Sequence, residues 1–257
     1  MKFSIICPTY KRINLLEESL YSVLNQSFKN YELIIINDNP LQKIYFNHPQ
    51  VRIINLDNKF KSIGQKRNFG TENSRGDLII QLDDDDFFLP DYLGNIAEAI
   101  KDCDLLSIQK PILYFDNKRI ILPPRPFTNT FVYKRATIGN LFKYEHINFD
   151  ELTPFYHKAI TSYIGKSRFM QLKSNQNGYV YRQLPNDKRK YSLVRIGGKS
   201  LEEQDRMLCD INDYVGNIQL FPKWAYNYTD IIKNNIIEEK NEINPEYDNI
   251  IEGLIKR

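Results

Sequence analysis

With 257 residues, 42% hydrophobic and 13% aromatic, the chain is long enough for one large α/β domain and apolar enough to bury a core, which excludes a disordered protein. Its formal net charge of +3 is too mild to argue for nucleic acid, which wants a concentrated basic face. Cys7, Cys103 and Cys209 lie far apart with no CxxC pair, so the composition points to a reducing compartment with neither a disulfide framework nor a zinc site. The first residues enter a strand-like run without the apolar segment of a secretory leader, and no stretch approaches the ~20 apolar residues of a membrane span. A soluble, cytoplasmic protein is expected, with peripheral membrane contact left open.

In chain order, residues 3–7 read as a short buried strand stopped by Pro8. Leu15, Leu16, Ser19, Leu20, Val23 and Leu24 recur at helical spacing and predict an amphipathic helix over 13–26. The β-branched run 31–37 predicts a strand covered on both faces, and 51–55 another strand. Residues 62–73 read as a helix opening at Gly64, 78–82 as a strand, and 92–100 as a helix. Alternating β and α at this spacing predicts a single Rossmann-like, mostly parallel sheet flanked by helices. Ligands of such sheets bind beyond the carboxyl ends of the strands. Further on, 104–109, 112–115 and 119–122 read as strands, 141–168 as mostly helical, 179–184 as a strand, 200–211 as a helix, and 231–239 as helical within a charged tail. The working division is a sheet-based half over 1–104, a second half over 105–228 and a tail over 229–257.

Four consecutive aspartates, Asp83 to Asp86, stand at the end of the 78–82 strand, before Phe87, Phe88 and Pro90. Two like charges ~4 Å apart repel by about 4 kcal/mol at an effective dielectric of ~20. A hard divalent ion with oxygen ligands removes that cost and recruits phosphate oxygens. The strand end therefore reads as a metal–diphosphate site, against the alternative of a solvated acidic turn. Four other pieces also stand out. These are Cys7-Pro8-Thr9-Tyr10-Lys11-Arg12, Asn37-Asp38-Asn39, Lys66-Arg67-Asn68-Phe69-Gly70, and Gly197-Gly198 followed by 201–208.

In their order and spacing these pieces resemble the family 2 glycosyltransferases of the GT-A fold. The turn 8–11 resembles the family's Pro-Thr/Ser-Tyr/Phe-Asn, and Leu24-Asn25-Gln26-Ser27-Phe28 its Leu-Asn-Gln-Ser/Thr-Tyr/Phe phrase. Asn37-Asp38-Asn39 resembles its Asp-Asp-Gly/Asn strand end, residues 66–70 its Ala/Lys-Arg-Asn-x-Gly helix start, and 82–90 its Leu-Asp-x-Asp-Asp-x-x-x-Pro strand end. The likeness is tight over about residues 2–100 and holds only in outline beyond.

The resemblance implies a transferase that uses a UDP-sugar donor, a glycan, lipid or protein acceptor, and Mn²⁺ or Mg²⁺. It makes Asp38 the acceptor for the uracil N3–H, with Pro8, Thr9 and Tyr10 lining the same crevice and Arg67 near base or phosphate. It assigns Asp83 and Asp84 to the ribose and nucleotide, leaving open which of them meets the ribose, because many relatives carry a small residue at the Asp84 position. Asp85 falls to the metal, and Asp86 to shaping the turn. The general base matches Asp205 in a phrase where Gln204 replaces the usual Glu; Glu202 is the alternative, since Glu203 has capping-box spacing from Ser200. A nucleotidyltransferase is disfavoured because residues 8–14 contain no glycine to cradle a triphosphate. The other reading is a non-catalytic sugar-nucleotide or glycan-binding module on the same fold, supported only by Gln204.

Overall fold

The computed structural model describes residues 1–108, 112–115, 118–121, 132–139, 143–145, 167–170, 178–183, 215–223 and 238–239, and structural statements refer to these. The elements in the first half are β1 (Phe3–Thr9), α1 (Ile13–Leu24), β2 (Tyr31–Asn37), β3 (Gln42–Tyr45), β4 (Val51–Asn55), α2 (Ile63–Glu72), β5 (Leu78–Gln81), β6 (Phe87–Phe88) and α3 (Tyr92–Ala99). After these come β7 (Leu105–Ile108), β8 (Ile112–Phe115), β9 (Lys118–Ile121), β10 (Val132–Lys134), β11 (Ser167–Met170), β12 (Tyr179–Gln183), β13 (Gly216–Gln219) and β14 (Glu238–Glu239).

Seven strands form the central sheet in the order β11-β7-β10-β5-β1-β2-β4, parallel except for β10. This is the expected mixed α/β architecture. Three of its strands come from beyond residue 104, so the working division does not separate two sheets. A second sheet runs β14-β9-β8-β12-β6, and β13 lies parallel to β3 as a separate pair.

Alternation along the central strands makes two cores. Phe3, Ile5, Cys7, Leu33, Ile35, Leu78 and Ile80 pack with Leu16, Leu20 and Val23 of α1 and Leu93 and Ile96 of α3. Ile6, Ile34, Ile36 and Ile79 face the other way, with Phe69 of α2, Phe60, Tyr133 and Tyr144. Helix α2 approaches closely through Gly70, where an added Cβ would fall 2.6 Å from Ile36 Cδ1 and closer still to Ile6 Cγ2. Ser62 caps this helix by accepting from the Gln65 N–H at 3.2 Å.

Several expectations are corrected. Pro8 does not stop β1, which pairs with β2 as far as Thr9. Ile6 and Pro8 share a side of the strand, and pairing with β5 has ended at Ile6, so the missing proline N–H breaks no rung. Helix α1 ends at Leu24, two residues early. Ser167 and Arg168 belong to β11 rather than a helix, and Glu238 and Glu239 to β14, because parallel pairing with β7 and β9 overrides the local pattern. The expected helix over 200–211 lies outside the described residues.

Candidate active site

The acidic turn is braced by α1. Asp86 N–H closes the turn on the Asp83 carbonyl at 3.0 Å. Ser19 Oγ of α1 donates to the Asp84 carbonyl at 3.0 Å and also contacts the Asp86 carbonyl. Ser22 Oγ accepts from Phe88 N–H at 3.1 Å. The fully buried Gln26 donates to the Leu89 carbonyl at 2.8 Å and accepts from Leu93 N–H at 3.0 Å. Ser19, Ser22 and Gln26 share one face of the helix and its extension, so α1 holds the backbone of residues 84–93 in place. The Leu24–Phe28 phrase thereby gains a role that sequence reading left blank.

Within this turn the four carboxylates alternate. Asp84 and Asp86 are fully buried, whereas the side chains of Asp83 and Asp85 remain 23% and 20% exposed. Asp84 accepts from Thr9 Oγ1 at 2.6 Å and pairs with Arg12. Asp86 accepts from the hydroxyl of Tyr179 at 2.5 Å. Burial, then the Asp86 charge, pushes that phenol well above the usual tyrosine range. The two carboxylates on the crevice side each meet an arginine: Asp83 meets Arg67 at 2.6 Å and Asp85 meets Arg12 at 2.7 Å. Burial works against the charge on Arg12, but Asp84, Asp85 and Asp83 more than offset it and hold the guanidinium more firmly protonated than usual. Beneath the turn, burial followed by Asp84 and Asp83 raises the Cys7 thiol, which argues against a nucleophilic role.

Asp38 completes the crevice at the end of β2. It is 1% exposed, accepts from Phe60 N–H at 3.0 Å and pairs with Lys66. Lys66 Nζ also donates to the Thr9 carbonyl at 3.1 Å. Burial lowers its pKa, opposed in part by Asp38. Arg67, on the next position of α2, bridges Gln81 Oε1 at 3.2 Å and Asp83. Asn68 clamps the chain at Tyr144, donating to its carbonyl at 2.9 Å and accepting from its N–H at 2.8 Å. Tyr10 stands at the mouth with Lys59 Nζ 4.5 Å from its ring centroid and Lys66 Nζ at 5.8 Å.

The structure thus brings Pro8, Thr9, Tyr10, Asp38, Arg67, Asp83, Asp84 and Asp85 to one end of the central sheet. Asp84 is turned inward and held by Thr9 and Arg12, so Asp83 is the better placed of the pair for a ligand. Asp205 and Glu202 lie outside the described residues. Arg12, Ser19, Lys66 and Tyr179 were not singled out from sequence as partners of the aspartates. Each acts across at least 28 residues of sequence, a distance at which no local pattern signals contact.

The charge cost that sequence reading assigned to a metal is met in large part by Arg12 and Arg67. Asp38 and Asp83 to Asp86 stand against Arg12, Lys66 and Arg67, with Lys11 and Lys59 close by at the Tyr10 ring. The crevice-side donors are carboxylate oxygens, which suit Mg²⁺ or Mn²⁺. Among the described residues no three His, Cys, Asp or Glu side chains enclose an ion. That fits a metal bound through one or two carboxylates and completed by substrate phosphates.

The class defined here is a mostly parallel α/β fold with carboxylates gathered at its strand ends, and comparison with known proteins gives its family. The family model for glycosyl transferase family 2 matches residues 4–164, and the chain belongs to that family. It is 36% identical over 123 residues to the uncharacterized glycosyltransferase YwdF of Bacillus subtilis, covering 46% of this chain and 45% of that protein. Over a longer stretch it is 24% identical to the GalNAc(5)-diNAcBac-PP-undecaprenol beta-1,3-glucosyltransferase of Campylobacter jejuni, covering 91% of this chain and 84% of that one. Among solved structures, S. aureus TarS 1-349 in complex with UDP-GlcNAc superposes with a TM-score of 0.58 at 18% identity, over 81% of this chain and 70% of that chain. The chain thus spans about half the length of the first of these relatives. The GT-A fold expected from the motifs is the fold observed.

Proposed function

We propose that the protein is an inverting glycosyltransferase that moves a sugar from a UDP-sugar to a hydroxyl on a glycan, lipid or protein. The observation that carries this reading is the continuous chain of contacts Asp38–Lys66–Thr9–Asp84, flanked by Arg67–Asp83, which makes one crevice of the ends of β1, β2 and β5. The similar TarS structure holds UDP-GlcNAc. The Campylobacter relative is named for an undecaprenol-linked acceptor, which favours a lipid-linked glycan here and a cytoplasmic protein in peripheral contact with a membrane. Among the described residues no helix is long and apolar enough to cross a membrane.

In this reading Asp38 accepts from the base, Pro8, Thr9 and Tyr10 flank it, Asp83 meets the ribose and Arg67 orients Asp83. Asp85 would hold Mn²⁺ or Mg²⁺, and the bound ion would neutralise charge on the leaving diphosphate. Asp205, or else Glu202, takes the proton of the acceptor hydroxyl while that oxygen bonds to the anomeric carbon. The bond from that carbon to the diphosphate oxygen breaks with its electron pair, and the configuration inverts.

Calorimetric titration with UDP, with and without Mn²⁺, is the test. Binding that Mn²⁺ strengthens is expected. Absence of UDP binding in both arms would remove the donor reading, and equal affinity in both would remove the metal from it.

A further inference from the structure

Lys66 is a buried cation on α2, 7% exposed, whose ammonium carries three N–H donors. Two are engaged, by the Asp38 carboxylate and by the Thr9 carbonyl at 3.1 Å. The ammonium also stands 5.8 Å from the centroid of the Tyr10 ring. Asp38 has one oxygen bound by Phe60 N–H at 3.0 Å and the other by Lys66, which fixes its plane. An acceptor and a donor therefore sit side by side at the inner end of the crevice.

We infer that Lys66 determines base specificity, by donating its third N–H to the O4 carbonyl of a uracil ring whose N3–H is accepted by Asp38. The inference rests on the UDP-sugar reading and adds a residue to it. Uracil presents an N–H donor beside a C=O acceptor, the complement of this pair. Cytosine presents a bare N3 acceptor beside an amino donor, which sets lone pair against carboxylate and N–H against ammonium. A site whose buried polar groups are left unpaired by the wrong ligand rejects it strongly.

The experiment is calorimetric binding of UDP, CDP and 4-thio-UDP to the wild-type chain and to Lys66→Gln, with Lys66→Arg as a charge-retaining variant. The 4-thio analogue replaces O4 with a weak acceptor and needs no variant to fold. The wild type is expected to bind UDP at least tenfold more tightly than CDP and several-fold more tightly than 4-thio-UDP. In Lys66→Gln the UDP affinity falls by about ten- to a hundredfold, the loss of one hydrogen bond to a charged group, and both preferences shrink. If Lys66 only braced Asp38, its loss would weaken UDP and 4-thio-UDP by the same factor, since both keep the N3–H that Asp38 accepts, and that outcome overturns the inference while sparing the UDP reading. Equal wild-type affinity for UDP and 4-thio-UDP also overturns it. A wild-type chain that binds no UDP overturns both.

Discussion

The hydroxyl of Thr9 donates to Asp84 Oδ2 at 2.6 Å, joining the tip of the first strand to the acidic turn 75 residues later in a fully buried contact. The carboxylate it serves is itself fully buried, with Arg12 as its ionic partner. Thr9→Val keeps the side-chain volume and removes one donor from a buried charge. The expected cost is about 1–3 kcal/mol of stability, read from urea unfolding, with Thr9→Ser restoring most of it. A loss as large in Thr9→Ser would assign the effect to packing rather than to the hydroxyl.

Gly70 lets α2 lie directly on β1 and β2. Gly70→Ala pushes a methyl against Ile6 and Ile36, and overpacking of this kind costs about 1–3 kcal/mol. Because α2 also carries Lys66 and Arg67, UDP affinity should fall along with the melting temperature. A variant as stable as the parent would show that the helix can retreat without cost.

Lys11 has φ +68°, a left-handed conformation that lysine adopts poorly. The resembling families place asparagine at this position, a residue that tolerates it. Lys11→Asn should stabilise the chain by roughly 0.5–1 kcal/mol and Lys11→Val should destabilise it, since a β-branched residue is the least tolerant there. Thermal melts of the three proteins in the order Asn, Lys, Val check this, and any other order contradicts it.

Glu32 couples stability to acid. Burial alone would raise its pKa, but hydrogen bonds from Ser4 Oγ and the Arg75 N–H outweigh it, with Lys2 and Arg52 adding to them, and hold the carboxyl below its ordinary value of 4.5. A carboxyl lowered in the fold releases its proton more readily there than in the unfolded chain. Its stabilisation is therefore complete above the unfolded value and is lost as pH falls through the folded value. The stability difference between wild type and Glu32→Gln should be largest at neutral pH and shrink below about pH 4.5. A difference that stays constant from pH 7 to pH 3 would contradict the assignment.

Asp205→Asn should lower turnover by about 10²–10⁴-fold while leaving the UDP dissociation constant unchanged, as loss of a general base does. Glu202→Gln should leave both near the parent values. The reverse pattern in steady-state assays with a donor and a hydroxyl acceptor would move the base to Glu202.

Much of the fold was legible because the deciding signals are local. The apolar runs of β1, β2 and β5 and the helical spacing of α1 are patterns within about a dozen residues, and the motifs sit where the elements begin or end. The short strands β3, β6, β10 and β13 were not foreseen. Their pairing partners lie far away in the chain, so no local pattern marks them. The same holds at the site. Asp38, Arg67 and the aspartates were recognisable from their positions at strand and helix ends, whereas Arg12, Ser19, Lys66 and Tyr179 became visible only once distant elements were packed together.

By itself the sequence determined that four carboxylates would stand at the end of a central parallel strand, since the apolar run before them and the phenylalanines after them leave no other place for that turn. Only the tertiary structure decided that Asp83 and Asp85 face the crevice while Asp84 and Asp86 are buried. Four identical side chains in a row carry no internal preference. The donors that sort them, Thr9 and Arg12, Arg67, and Tyr179, arrive from three separate parts of the chain, and burying a charge is tolerable only where such partners meet it.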